Sequence, residues 1–406
     1  MPLNIEQIRS QFPILNQEEG KQPFVYLDSA ASTFKPQVVI NKELELANKY
    51  YGNVHRSSHY MANRTTEEYE NSRQKIRKFI SASESSEIIF TKGTTESINL
   101  LAYSFGETEI SAGDELIISE MEHHANIVPW QLMCKRKGAK LKVIPINEKG
   151  ELDIDKYKTL FSVKTKLVSV TYVSNVLGTV NPIEKLVELA RSFNVPILLD
   201  AAQAVKCIPI DMQKIDADFL VFSGHKMYAP NGTGVLYGKK KWMEKLMPYQ
   251  SGGEMIDTVS FEKSTFMPPP YKFEAGTPNI SGAIGLGAAI DFLSNIGMQN
   301  IHEEELELSK YLFNSLSDIS NLKVYGTSSN RIGAVAFKIE GIHDSDIATL
   351  IDNLGIALRT GSHCAIPLHS RLGIESTIRA SVGIYNTKDD VDELTKAIKK
   401  VINMLT

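Results

Sequence analysis

The stretch DFLVFSGHKMYAPNGTGVLYG occupies residues 218–238. Its apolar run, Phe219 to Phe222, has the character of a buried strand. The run stops at Ser223, Gly224, His225 and Lys226, before a loop that contains Pro230 and Gly232. A chain that needs only a turn can use Asn-Gly or Pro-Gly. Here a hydroxyl, an imidazole and an amine follow one another at a strand's end. In open α/β sheets that is where ligands bind.

The rhythm around this stretch sets the fold expectation. DELIIS, from Asp114, reads as a strand, and NIVPWQLMCKRKG, from Asn126, as a helix. KLKVIPI follows as a strand. KLVSVTYV from Lys166, PIEKLVELARSFN from Pro182 and VPILLD from Val195 repeat the pattern. Apolar strands alternating with amphipathic helices predict an α/β fold with a mostly parallel central sheet covered on both faces. A long helical stretch begins at Ser281; its Gly-rich start suits close packing, and the stretch is expected to connect two domains. The tail, with RIGAVAFKI, IALRTGSHC and IRASVGIYN, predicts a smaller C-terminal α/β unit. Thr387 and Asp390 are spaced as a capping box on its last helix. The first ~20 residues form a short leading helix that needs a surface, and this unit supplies one. The expected division is a large domain over 21–293, and a small domain from 1–20 and 294–406.

Bulk properties narrow the class. With 406 residues the chain exceeds the usual single-core size. Hydrophobic residues make up 42% and charged residues 23%, ordinary for a soluble globular protein. A net charge of −4 offers no electrostatic case for nucleic acid or an anionic membrane. The start, MPLNIEQIRSQFPIL, lacks the pattern of a signal peptide, and no run has the length and apolarity of a membrane span. The three cysteines, Cys134, Cys207 and Cys364, are odd in number and widely spaced. That argues against a disulfide framework and for a reducing, cytoplasmic setting.

The chemistry gathers around Lys226. A lone lysine there reads as an ordinary surface charge, and Asp200, ending VPILLD, reads as a turn cap. Together they lie at the ends of consecutive strands. That arrangement suits pyridoxal phosphate, which takes a lysine as covalent anchor and an aspartate against its pyridinium nitrogen. Gln203 lies three residues beyond Asp200. The phosphate needs a cradle, and EIIFT followed by Lys92, Gly93, Thr94 and Thr95 opens a helix whose free N–H groups favour an anion. An ordinary threonine N-cap explains the same residues. Ser223 and His225 are further phosphate candidates. His123 and His124 are adjacent and must point apart, which disfavours joint metal binding. One of them can be simply packed and hydrogen-bonded, or can stack on a flat cofactor, where it is also placed for proton transfer as a catalytic group, the role expected of His123. Asn175 follows another strand as a polar contact to cofactor or substrate. In ALRTGSHCAIP, Cys364 follows a strand and a tight Thr-Gly-Ser turn, close to His363, Arg359 and Arg379. Cationic neighbours lower a thiol's pKa from about 8.5 and favour the nucleophilic thiolate. The guanidinium fork of an arginine suits a substrate carboxylate. Cys134 and Cys207 sit in apolar patterns and read as small core residues.

These motifs together resemble the SUF-type (group II) cysteine desulfurases, also described as selenocysteine lyases, within the class-V aminotransferase-like, fold-type I pyridoxal-phosphate enzymes. The resemblance runs over nearly the whole chain, through GTTE, EHHANIVPW, DAAQ, SGHK and RTGSHCA in order. It implies that Lys226 holds the cofactor and moves protons, His123 stacks on its ring, Asp200 pairs with its nitrogen and Gln203 reaches its phenolic oxygen. It places Thr95, Ser223 and His225 at the phosphate, with Gly93 and Thr94 beside them, and Thr277 at the phosphate of the other subunit of a homodimer. Asn175, Arg359 and Arg379 orient the substrate, L-cysteine or L-selenocysteine, and Cys364 takes the sulfur as a persulfide. A SufE- or SufU-like acceptor then carries it towards iron–sulfur cluster assembly. Two positions depart from the family's common pattern: Asn231 in the loop after Lys226, and Ser362 before His363. Another class-V enzyme, such as an aminotransferase or a kynureninase-like hydrolase, would need no Cys364.

Overall fold

The computed structural model describes residues 3–16 and 24–405. Seven strands form the large sheet: β1 (Ile88–Thr91), β2 (Glu115–Ser119), β3 (Lys140–Ile144), β4 (Thr165–Thr171), β5 (Ile197–Asp200), β6 (Phe219–Ser223) and β7 (Gly234–Gly238). Their order is β1-β7-β6-β5-β4-β2-β3. Strands β2 to β6 pair in parallel, while β7 is antiparallel to both of its neighbours, β1 and β6. The sheet is therefore mostly parallel, as the alternating pattern predicts.

Continuous apolar strands arise because both faces are buried. Along β6, Leu220 and Phe222 enter one core cluster, and Phe219 and Val221 enter the other. Each such side chain contributes about 1.5–3 kcal/mol by leaving water. Burial on both faces leaves only the strand ends for polar chemistry.

A second sheet lies near the C-terminus: β8 (Leu322–Tyr325), β9 (Ala334–Ile339), β10 (Arg359–Gly361) and β11 (Thr377–Ser381), ordered β8-β9-β11-β10 and antiparallel throughout. A separate core cluster joins it to helices, through Leu312, Phe337, Ile378 and Leu394 among others. The last helix, Lys388–Leu405, starts with the expected box. Asp390 Oδ2 accepts from the Thr387 N–H at 3.1 Å, and the Asp390 N–H donates to Thr387 Oγ1 at 3.2 Å.

The long helical stretch differs from its expected form. It starts at Ile280, one residue early, and it is two helices, Ile280–Ile296 and Met298–Ser317, bent by 79°. Gly297 makes the break with φ +94°, a conformation that side chains disfavour. The 293/294 division thus falls inside the first helix. Close packing at its start is real: a Cβ on Gly287 would come within 2.5 Å of Ser72 Oγ, and one on Gly285 within 2.5 Å of Pro230 Cγ. Among the described residues no single helix is long and apolar enough to cross a membrane.

The short leading helix, Ile5–Arg9, reaches both parts of the chain. Arg9 Nη1 pairs with Asp390 Oδ2 at 3.1 Å and donates to the Tyr385 carbonyl. Phe12 instead packs on the rings of Tyr228, Phe292 and Tyr385. The 20/21 division lies outside the described residues.

Candidate active site

The C-terminal ends of β5 and β6 form the floor of a pocket of about 210 Å³, open to solvent on one side. Asp200, Gln203, Ser223, His225 and Lys226 line the floor. Asp200 is buried, and its Oδ1 accepts from the Ala202 N–H at 2.9 Å. Its Oδ2 takes no hydrogen bond from the described residues. Burial raises the Asp200 pKa, opposed by the Ala202 N–H and by the Lys226 charge. Lys226 has no hydrogen-bond partner among the described residues. Burial lowers its pKa; Asp200 opposes this, and Arg379 pushes it down further. Gln203 Nε2 donates to the Ala30 carbonyl at 2.8 Å.

Next to the floor the helix Thr94–Glu109 begins, with Gly93 as its N-cap. The cap is glycine and not threonine, because φ is +151° there and a Cβ would sit 3.1 Å from Ser223 Oγ. Ser223 Oγ accepts from the Thr94 N–H at 2.8 Å and meets Thr94 Oγ1 at 2.9 Å. Thr94 and Thr95 both line the pocket. The combination of a helix N-terminus and converging hydroxyls is chemically suited to a phosphate. His225, its pKa lowered to about 4 by burial and by Lys226, stands beside it as a neutral imidazole.

The wall comes from β2 and the turn after it. The expected helix from Asn126 starts later: a short 3₁₀ turn, His124–Asn126, precedes the helix Val128–Lys137. The two histidines diverge. His123 lines the pocket, and its Nδ1 accepts from the Ala125 N–H at 3.0 Å. Burial and the Lys226 charge hold its pKa down at about 3, so it is neutral and its ring is free to stack. His124 turns towards the cysteine loop. Its N–H donates to the Cys364 carbonyl at 2.7 Å, and its Nε2 accepts from the Ile366 N–H at 3.0 Å.

The rim belongs to the second sheet. Arg359 and Arg379 face each other across β10 and β11, and both line the pocket with Cys364. Thr360 and Gly361 belong to β10, so the turn is residues 362–365 and contains the cysteine itself, closed by the Ala365 N–H on the Ser362 carbonyl. His363 and Cys364 take φ of +50° and +57°. Two successive non-glycine residues in that region are strained and persist only when their surroundings hold them. The holding groups are His124 and Asn175, whose Nδ2 donates to the His363 carbonyl at 2.7 Å. Cys364 is exposed, whereas Cys134 and Cys207 are buried. Burial pushes the Cys134 thiol up to about 11 and raises Cys207 further.

Twelve of the residues singled out in the sequence therefore line one pocket. Gly93 lies directly behind it, and Thr277 lines a different pocket with Gly232, Tyr249 and Glu274. Sequence reasoning missed three parts of the site. Ala30 and Ala31, from the small-residue run after Tyr26, also line the pocket. Asp28 pairs with both arginines. Glu122, fully buried and next to His123 in the chain, accepts from Ser119 Oγ, Asn126 Nδ2 and the Thr171 N–H. Burial raises its pKa to about 8. The Ser119, Glu122 and Asn126 spacing was the available signal.

The donor set fits pyridoxal phosphate: an unpartnered lysine, a carboxylate oxygen without a donor one strand away, a flat neutral imidazole and a phosphate cradle. The family model for aminotransferase class-V matches residues 25–394. A protein named probable cysteine desulfurase, from Halalkalibacterium halodurans, is 48% identical over 98% of both chains. A cysteine desulfurase of Escherichia coli O1:K1 is 45% identical over the full length of both. The apo structure of cysteine desulfurase from Thermococcus onnurineus NA1 superposes with a TM-score of 0.94 at 35% identity, covering 99% of each chain. On this sequence match and this shared architecture, the chain belongs to the class-V aminotransferase family.

Proposed function

We propose that this protein is a pyridoxal-phosphate-dependent cysteine desulfurase, which converts L-cysteine to L-alanine and leaves the sulfur as a persulfide on Cys364. The observation that carries the reading is the exposed Cys364, held in a strained turn at the rim of the pocket whose floor bears Lys226 and Asp200. When bound, pyridoxal phosphate supplies an electron sink for negative charge at the substrate's Cα.

The chain's own groups do the rest. Lys226 anchors the cofactor and, once released by substrate, moves the proton at Cα; burial lowers its pKa, in the direction that favours the neutral amine this task needs. Asp200 keeps a proton on the ring nitrogen. His123 presses on the ring face without adding charge, and Gln203 faces the phenolic oxygen. Gly93, Thr94, Thr95, Ser223 and His225 hold the phosphate. Arg359, Arg379 and Asn175 hold the substrate's carboxylate end. The Cys364 thiolate attacks the substrate sulfur: an S–S bond forms, the substrate's C–S bond breaks, and its electron pair passes to carbon, which takes up a proton to give alanine.

The persulfide must be passed on, so a sulfur-accepting protein of SufE or SufU type and iron–sulfur cluster assembly are the expected destination. A homodimer in which Thr277 reaches the phosphate of the other subunit completes the reading. So does a division into a large domain over 21–293 and a small one from 1–20 and 294–406, in a cytoplasmic setting. Peptide mass spectrometry under non-reducing conditions, after incubation with L-cysteine, tests the activity. One extra sulfur on Cys364 with equimolar alanine is expected. Cofactor on Lys226 with no sulfur on Cys364 overturns it, and L-selenocysteine is then the substrate to try.

A further inference from the structure

The two arginines pose an electrostatic problem. Arg359 and Arg379 are direct cross-strand partners on β10 and β11. Like charges placed opposite one another on a sheet repel. Arg379 is almost fully buried, and Arg359 is nearly half exposed. One carboxylate among the described residues meets both: Asp28 Oδ1 lies 2.8 Å from Arg379 Nη2, and Asp28 Oδ2 lies 3.8 Å from Arg359 Nη1.

Asp28 is built into place. The segment Val25–Tyr26 pairs in parallel with Ile356–Ala357, just before β10, and Asp28 bridges to Ser381 at the end of β11. The Leu27 N–H donates to the Ala357 carbonyl and the Ser381 N–H to the Leu27 carbonyl. The same short segment is thus stitched to both arginine-bearing strands, and it delivers Ala30 and Ala31 to the pocket.

The two ion pairs differ in kind. Arg379 is fixed: Nη2 is on Asp28, Nη1 donates to the Asn175 carbonyl at 3.0 Å, and Nε is buried without a partner. Arg359 makes one long ion-pair contact, and its side chain is nearly half exposed. Two guanidiniums and one carboxylate leave one uncompensated positive charge, which matches one substrate carboxylate.

We infer that Asp28 is a specificity-setting positioning residue: it holds Arg379 as a fixed anchor and competes with the substrate's carboxylate for Arg359. Substrate entry transfers Arg359 from Asp28 to the substrate. The exchange trades a partly exposed, weakly held pair for a more enclosed one. Asp28 therefore weakens substrate binding while keeping it selective for a single carboxylate. A residue needed only for folding would act in the opposite direction, since its loss would loosen the pocket.

The inference rests on the proposed roles of the arginines, and its test separates the two. The holoenzyme is titrated with L-alanine, followed by cofactor absorbance, which needs no sulfur transfer; KM for L-cysteine is measured in parallel. Asp28→Asn keeps an acceptor for Arg379 but removes the charge. It is expected to tighten L-alanine binding at least threefold and lower KM for L-cysteine, while lowering the melting temperature of the ligand-free protein. Asp28→Glu retains the charge and is expected to leave the L-alanine Kd within about twofold. The Asp28→Asn gain should vanish when Arg359 is also changed to Gln. Weaker L-alanine binding in Asp28→Asn, or the same gain in Asp28→Glu, overturns the inference. Should Asp28→Asn not fold, Arg359→Gln in the parent decides: an unchanged L-alanine Kd means that Arg359 does not hold the carboxylate, and the inference falls. Absence of persulfide in the parent would refute the desulfurase reading while leaving the L-alanine titration interpretable.

Discussion

The floor of the pocket and its rim are built on different principles. The floor, Asp200 with Ser223 to Lys226, comes from adjacent parallel strands whose buried faces force polar groups to the ends. Each of its residues sits where its own strand stops. The rim, with Arg359, Cys364 and Arg379, comes from an antiparallel sheet more than a hundred residues further along the chain. It is held by groups from elsewhere: His124, Asn175 and Asp28. The floor is thus a consequence of strand order. The rim is an assembly, and its strained turn at His363 and Cys364 persists only while the assembly holds.

The first way to break this contrast is at the floor. Lys226→Ala is expected to abolish covalent cofactor attachment and lower turnover by about 10,000-fold, the upper end for a proton-transfer group. Absorbance of the purified protein and alanine release check it; a yellow, lysine-linked and active variant would refute the assignment.

Cys364→Ala attacks the rim alone. Cofactor absorbance should stay as in the parent, no persulfide can form at position 364, and alanine release from L-cysteine should fall by about 1,000-fold. Matching changes at the buried Cys134 or Cys207 should leave sulfur transfer intact. Loss of cofactor in Cys364→Ala would mean that rim and floor are not separable.

Glu122, beneath the wall, sharpens the comparison through pH. Its folded-state pKa of about 8 lies above its ordinary value, so the folded protein holds the proton more tightly. The associated stability is fully present below the unfolded value near 4.5 and is lost as pH rises through 8. Glu122→Gln removes that dependence. Its melting temperature relative to the parent should climb between pH 5 and pH 9, with a limit on the order of 4 kcal/mol. A constant difference across that range would show that Glu122 does not titrate there.

The smallest effect tests the link between the two regions. His124→Ala removes the side-chain acceptor for the Ile366 N–H. One hydrogen bond of about 1 kcal/mol corresponds to roughly a fivefold slower persulfide formation. Cofactor absorbance should not change, because His123 still faces the pocket. Equal damage to both readouts would make His124 part of the floor.

Much of this was legible in the chain. Lys226 and Asp200 each have an ordinary reading alone, and become legible together because they end consecutive apolar strands. Gly93 and the two threonines mark a helix start by local chemistry alone. The capping box of Thr387 and Asp390 is equally local. Asp28 was not legible, since its partners lie more than 300 residues away and a lone aspartate after a short strand carries no pattern. Glu122 was hidden by the histidines that follow it. The break at Gly297 was masked by helix-forming residues on both sides, which continue the apolar pattern across it.

By itself the sequence determined the alternation of strands and helices, the polar strand ends and the residues capable of the chemistry, because hydrophobic period and backbone preference act over a few residues. Only the tertiary structure decided which histidine faces the pocket, what holds the cysteine turn in its strained form, and that one carboxylate near the N-terminus pairs with two arginines near the C-terminus. Those depend on contacts between distant segments, and local sequence spacing does not encode them.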